Sequence, residues 1–415
     1  MRQSAKITPQ NTSIAQFDYL LPDEKIARYP VTPRDHSKLL VYKEGVINSD
    51  FYYQLHQHLP EGALLLMNNT KVVEARLLFK KSTGSTIEIF CLEPDPQYAD
   101  MTTAMLQTGT VLWKCLVGGA RKWKAEALKM AFLFEGIPYT LSARINATLN
   151  DTFLIEFSWN HSDLSFAEVL HHAGVIPLPP YLKRATEAAD QQNYQTVYAL
   201  QDGSVAAPTA GLHFTEELLA KLAVKQIEHD FLTLHVGAGT FMPVKSDTLA
   251  DHEMHAEFIE VSMEILDKLL NAVDRKVIAV GTTSLRTLES LYWMGVKALK
   301  QPELSLEQIS IRQWDAYELE QEYSAPAAFL ALKQFMEAHQ LKRLITKTQL
   351  LIAPGYTLRT VDAIITNFHQ PQSTLLLLIH AFVGDRWKDI YDYALQHDYR
   401  FLSYGDGSLL WRSAK

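Results

Sequence analysis

Val277-Ile-Ala-Val-Gly-Thr-Thr-Ser-Leu-Arg-Thr-Leu-Glu-Ser290 is the stretch from which the fold is read. After Lys276, a short run of apolar residues ends at Gly281. Three hydroxyl residues follow, and then a periodic segment expected to be helical from Ser284 to Tyr292. This is a buried strand turning directly into a helix. The same texture recurs on both sides. Phe231-Leu-Thr-Leu-His-Val reads as a strand, and so does Leu64-Leu-Leu-Met. Ala363-Ile-Ile-Thr reads as a strand followed by a turn at Pro371 and a helix from Ser373. Thr215 precedes Glu216 and Glu217, so a capped helix starts there, with acids at the positive end of its dipole. Alternating strands and helices of this kind argue for an α/β body.

Between about 76 and 160 the pattern changes to short alternating runs such as Thr86-Ile-Glu-Ile-Phe and Thr152-Phe-Leu-Ile-Glu-Phe, punctuated by Gly, Asn and Asp. The expected layout is a discontinuous α/β catalytic domain, residues 1–75 plus 161–415, interrupted by an all-β unit at 76–160. Residues 296–350 read as an extra, largely helical excursion. Near the start, Asp23 is expected to cap a short helix that Pro30 ends.

The chain has 415 residues, 47% of them apolar, which is enough for a large core. Its formal net charge of −8 argues against a nonspecific nucleic-acid binder, since phosphate contacts need Lys and Arg. Local basic clusters at Arg121-Lys122-Trp123-Lys124, Lys183-Arg184 and Lys342-Arg343 survive that objection as candidate contacts. Cys91 and Cys115 show neither disulfide-framework nor metal-ligand spacing. Met1-Arg-Gln-Ser-Ala-Lys6 lacks the apolar core of a signal peptide, and no run is long enough to span a membrane. A cytoplasmic protein is expected, with no membrane partner and as a monomer.

Five segments carry chemistry. The Gly281 turn opens a helix whose free N–H groups, with Thr282, Thr283 and Ser284, attract carboxylate or phosphate. It lacks the Gly-Lys-Ser/Thr ending of a P-loop. Leu234-His-Val-Gly-Ala-Gly-Thr-Phe brings His235 next to Gly237 and Gly239, where a backbone can approach a ligand closely. His252-Glu-Met-His255 does not have zinc-helix spacing, and no metal is expected. Ala206-Ala-Pro-Thr-Ala-Gly-Leu-His213 forms a tight loop carrying Thr209. It delivers His213 beside a helix N-terminus, where the dipole disfavours its cation. Thr366-Asn-Phe-His369-Gln-Pro-Gln-Ser-Thr places Asn367 and His369 directly after a strand. Ligands of open α/β sheets favour the C-terminal strand ends, so these segments are expected to converge on one crevice.

Together with Asn68-Asn-Thr-Lys-Val, Pro354-Gly-Tyr and Tyr404-Gly-Asp, these segments resemble the S-adenosylmethionine:tRNA ribosyltransferase-isomerase family of queuosine synthesis, in order from residue 17 to 406. The resemblance implies a mixed α/β main domain, with a barrel-like sheet and helices, carrying an inserted barrel-like all-β domain. It implies S-adenosylmethionine as co-substrate and, as partner, a tRNA with a GUN anticodon. The ribosyl group would pass to 7-aminomethyl-7-deazaguanine at the wobble position, giving epoxyqueuosine-tRNA, adenine and methionine. His213, His235, His255 and His369 are the candidates for proton transfer. Asn69, Thr209, Gly237, Gly239, Thr282, Thr283, Ser284, Arg286, Asn367 and Asp406 are the candidates for substrate binding, with Arg286 matched to the methionine carboxylate. Phe214, Phe241 and Phe368 are either core or stacking surfaces for a flipped base.

The chain departs from the family pattern at Asn69, where an acid is usual, at Gly407-Ser-Leu-Leu, in the basic segment from Gly118, and in the length of 296–350. These differences leave open a divergent member with another acceptor, or a non-catalytic RNA-binding protein on the same scaffold.

Overall fold

A computed structural model describes residues 9–81, 83–123, 126–150, 152–237 and 247–412. Four parallel strands form its centre, in the spatial order Glu228–Leu234, Leu64–Asn68, Val277–Val280, Ala363–Asn367. The last three are buried end to end, as is usual for parallel strands covered on both faces, and Glu228–Leu234 is buried over its last three residues. The pleat divides their side chains between two cores. Leu64, Leu66, Ala279 and Ile364 face one. Leu65, Met67, Ile278, Val280, Ala363 and Ile365 face the other.

The sheet extends to nine strands. Glu257–Ser262 and Arg343–Thr348 add on one side, antiparallel, and Gly407–Trp411, Lys38–Lys43 and Val46–Phe51 on the other. Gly407–Trp411 runs antiparallel to Ala363–Asn367 and parallel to Lys38–Lys43. The starts of these two strands therefore lie at the same end of the sheet as Asn367. That register brings Ser37 and Asp406 beside the tips of the central strands.

The helix after Gly281 spans Thr282–Lys300, well past the expected end at Tyr292. Gly295 does not stop it, because its missing side chain lets a neighbouring helix, Ala325–Ala338, pack against it. A Cβ there would fall 2.0 Å from the Ala328 carbonyl oxygen. Residues 296–350 are accordingly not an excursion of helices alone. They comprise the tail of this helix, the Asp315–Glu318 and Ala325–Ala338 helices, and the edge strand Arg343–Thr348. Thr215 caps its helix as expected, accepting from Leu218 N, and the helix expected from Ser373 spans Thr374–Val383, with Ser373 before it accepting from Leu376 N. Around Asp23 only a three-residue 3-10 turn forms, preceded by Pro22 and without a side-chain cap.

Residues 76–159 carry a second, fully antiparallel sheet of six strands. Its two edge strands, Arg76–Lys80 and Leu128–Phe134, return to within 8 Å of each other, giving a barrel-like curl. Alternate side chains, among them Ile89, Trp113, Ile155 and Phe157, fill a separate core. Cys91 and Cys115 sit opposite each other inside it as buried free thiols. No helix among the described residues is long and apolar enough to cross a membrane.

Candidate functional site

The C-terminal ends of three of the four parallel strands, Glu228–Leu234, Val277–Val280 and Ala363–Asn367, lead into a cavity of about 330 Å³. Gly281 turns the chain there at φ 90°, a conformation that favours glycine, and no side chain caps the helix it begins. The first N–H groups of that helix have no intrahelical acceptor. Thr282 and Thr283 line the cavity with Thr209, Gly237, His255, Arg286, Asn367 and His369. Gly239 and Phe241 lie outside the described residues.

Asn68 holds the strand tips in register. Its Oδ1 accepts from Leu234 N and Thr70 N, both at 3.2 Å. Its Nδ2 donates to Leu234 O at 3.0 Å and to Thr283 Oγ1 at 3.4 Å. One amide thus ties two strands to the start of the helix. Asn69 lies outside the lining, and its Oδ1 accepts from Thr233 Oγ1 at 2.8 Å.

Arg286 is 6% exposed and ion-paired with Glu257, which is 5% exposed. Its Nε donates to Leu350 O at 3.3 Å, and its Nη2 is buried without a partner among the described residues. The guanidinium expected to await a ligand carboxylate already has one inside the protein. What it offers the cavity is its Nη2 amino group, whose two N–H donors are unused among the described residues. Glu257 stood in the His252–Glu257 motif, but nothing in its spacing marks it as the partner of a residue 29 positions away. The same loop is pinned from the 296–350 region. Gln313 bonds Met254 N and His252 O, and Gln349 Nε2 donates to Met254 O.

The four candidate histidines divide. His369 lines the cavity, bonded through Nε2 to Thr366 Oγ1 at 3.0 Å. Burial pushes its pKa down to about 3, so the ring is neutral. His255 lines the opposite wall and is exposed, next to His252, whose pKa is lowered by burial and by the His255 charge. His235 is not part of the lining. Its neighbours Val236 and Gly237 line the cavity, while its own ring turns toward Gly203. Burial holds it at about 4. His213 also sits behind the wall. It stacks on Tyr52 with ring centroids 4.1 Å apart and bonds Ser37 and Asn367. Burial holds it at about 3. After burial come the charges of Arg400 and Arg34, which lower it further.

Two substrate-binding candidates are turned inward. Ser284 is fully buried and donates to the carbonyl oxygen of Val280, the last residue of the strand before its helix. Asp406 accepts from Lys38 N at 2.9 Å and Arg400 N at 2.8 Å and pairs with Arg400, which locks the turn before the last strand. Phe214 is a core residue, whereas Phe368 lines the cavity while packing on Phe401. The Lys183-Arg184 cluster is neutralised by Asp23 and Asp190, and Arg343 by Glu260. Tyr181, Ser403 and Met254 line the cavity without having been singled out. Tyr181 and Ser403 stand in segments without a chemical motif, and Met254 sits between the two histidines of the His252–His255 segment. Among the described residues, no group of three His, Cys, Asp or Glu is placed to hold a metal ion.

A family model described as "Queuosine biosynthesis protein" matches residues 14–410. A protein of Magnetococcus marinus named S-adenosylmethionine:tRNA ribosyltransferase-isomerase is 36% identical over 403 residues, covering 96% of this chain and 94% of its own length. One of Anaeromyxobacter sp. with the same name is 39% identical over 405 residues, covering 96% and 99%. A solved structure of S-adenosylmethionine tRNA ribosyltransferase from Thermotoga maritima is 28% identical, covers 95% of this chain and 99% of that one, and superposes with a TM-score of 0.44.

Proposed function

The chain belongs to the queuosine biosynthesis protein family, and from that premise we propose that it transfers and isomerises the ribosyl part of S-adenosylmethionine onto 7-aminomethyl-7-deazaguanine in tRNA. The products are epoxyqueuosine-tRNA, adenine and methionine, and the acceptor is the wobble base of a GUN anticodon. The protein acts as a monomer in the cytoplasm. Its 76–160 sheet is an inserted all-β domain in a catalytic α/β body made of 1–75 and 161–415.

One observation carries the reading: an uncapped helix start, a spare guanidinium N–H and a neutral imidazole meet in one cavity at the strand tips. The helix start and Thr282 suit the methionine carboxylate. The positive sulfonium acidifies the adjoining 5′ carbon, so a base must take a proton there. The leaving adenine must gain a proton, and the attacking amine must lose one. A base works best with a pKa near the working pH. His369, held near 3, is too weak for that duty and serves as a neutral hydrogen-bonding wall. His255 and His252, on the open side, are the better placed groups for moving protons.

Purified protein given labelled S-adenosylmethionine and tRNA bearing the aminomethyl base releases free adenine, and the label enters the tRNA. Absence of adenine release with that tRNA contradicts the reading.

A further inference from the structure

Asn367 ends a central strand, is 3% exposed and lines the cavity. Its Nδ2 donates to Leu402 O at 3.2 Å and to His213 Nε2 at 3.1 Å. A backbone carbonyl can only accept, so the nitrogen end of the amide is placed by chemistry. His213 Nε2 must then accept as well, and the ring carries its proton on Nδ1. That proton goes to Ser37 Oγ at 2.6 Å, and the Ser37 hydroxyl donates in turn to Arg34 O at 3.0 Å. Every donor in this chain has one acceptor, so a single tautomer and a single amide orientation fit. Flipping the amide would set its oxygen against two acceptors. The stacked Tyr52 ring keeps the imidazole from turning away.

The atom left over is Asn367 Oδ1. It is buried, with no partner among the described residues. A buried amide oxygen without a donor is costly, and a ligand in the cavity can supply one. Two kinds of donor compete, an ammonium and a neutral amine. Arg34 and Arg400 lie close enough to add to the depression of the His213 pKa. Asp406 offsets Arg400, but among the described residues Arg34 has no ion pair and donates to the carbonyls of Gln192 and Gln195. One positive charge therefore remains uncompensated behind Asn367, which disfavours an ammonium. The nearby lining from Phe368, Leu375, Leu378 and Leu402 is apolar and suits a flat heterocycle.

We propose that Asn367 reads the adenine of bound S-adenosylmethionine, its Oδ1 accepting from the exocyclic 6-amino group, with His213 as the positioning residue that holds the amide in that sense. The assignment rests on the function proposed above and adds to it the discrimination of 6-amino from 6-oxo purines.

Calorimetric titration of the full chain with S-adenosylmethionine and with its hypoxanthine analogue tests this. The wild type is expected to bind the 6-oxo analogue roughly 10- to 100-fold more weakly, because an acceptor then faces an acceptor. Asn367→Ala brings the ratio close to one. His213→Phe, which removes one of the two acceptors that hold the amide and leaves Leu402 O alone to orient it, also lowers the ratio, and a merely structural role for His213 would lower both affinities alike. Because the ring is neutral, the wild-type ratio stays constant from about pH 6.5 to 8.5. A wild-type ratio near one, or an unchanged ratio in folded Asn367→Ala, overturns the assignment while leaving the proposed function standing. No binding of S-adenosylmethionine by the wild type overturns both. If the variants do not fold, the wild-type ratio alone decides.

Discussion

Moving the protein from about pH 7.5 to about pH 5.5 is expected to remove about 4 kcal/mol of its unfolding free energy. The cause is three imidazoles kept neutral by burial. His213 and His369 are held at about 3 and His235 at about 4. In the unfolded chain each returns to an ordinary value near 6.5. Below that value the unfolded state binds protons that the folded state refuses, so stability falls with pH through the window from about 6.5 down to about 4. Above it the contribution is complete and flat. Each ring accounts for about 1.4 kcal/mol of the drop between those two pH values. Guanidinium unfolding midpoints at the two pH values measure the total, and a folded variant such as His235→Gln should reduce the drop by about a third. A stability that does not change between them would mean the rings are solvated.

The second large effect is expected at Arg286. Arg286→Met leaves the carboxylate of Glu257 buried without a counter-charge, which costs about 3–5 kcal/mol for a pair of this kind. Adding Glu257→Met removes the stranded charge and should restore most of the loss, since apolar replacements of buried pairs are often neutral or better. The double variant separates stability from function. It is expected to unfold near the wild-type denaturant midpoint and yet bind S-adenosylmethionine at least tenfold more weakly, because the spare Nη2 donor is gone. Wild-type affinity in the folded double variant would show that this N–H does not meet the ligand.

The parts of the fold legible in the sequence are those set by local pattern. Leu64-Leu-Leu-Met and Val277-Ile-Ala-Val announce buried strands by continuous apolarity, and Thr215 and Ser373 announce helix starts by their hydroxyls. The full length of the Thr282–Lys300 helix is not legible at Gly295, because a glycine inside a helix serves equally as a stop or as room for a close neighbour, and Ala328 lies 33 residues further on in the sequence. The site was legible as a set of strand tips but not as a set of side-chain directions. A strand buried on both faces shows no alternation, so nothing in Leu234-His-Val-Gly reveals that His235 turns away while Val236 and Gly237 face the cavity. Partnerships across the chain are equally hidden. The Glu257 carboxylate on Arg286 and the His213 ring on Asn367 exist only once the strand order is known.

The most direct test of the cavity as the reaction centre is a crystal structure of the protein with S-adenosylmethionine bound. The expected density fills the space between Thr282, Arg286, Asn367 and His369, with the sulfonium facing the His252 and His255 side. Ligand density elsewhere on the protein, with this cavity left to solvent, would contradict the account.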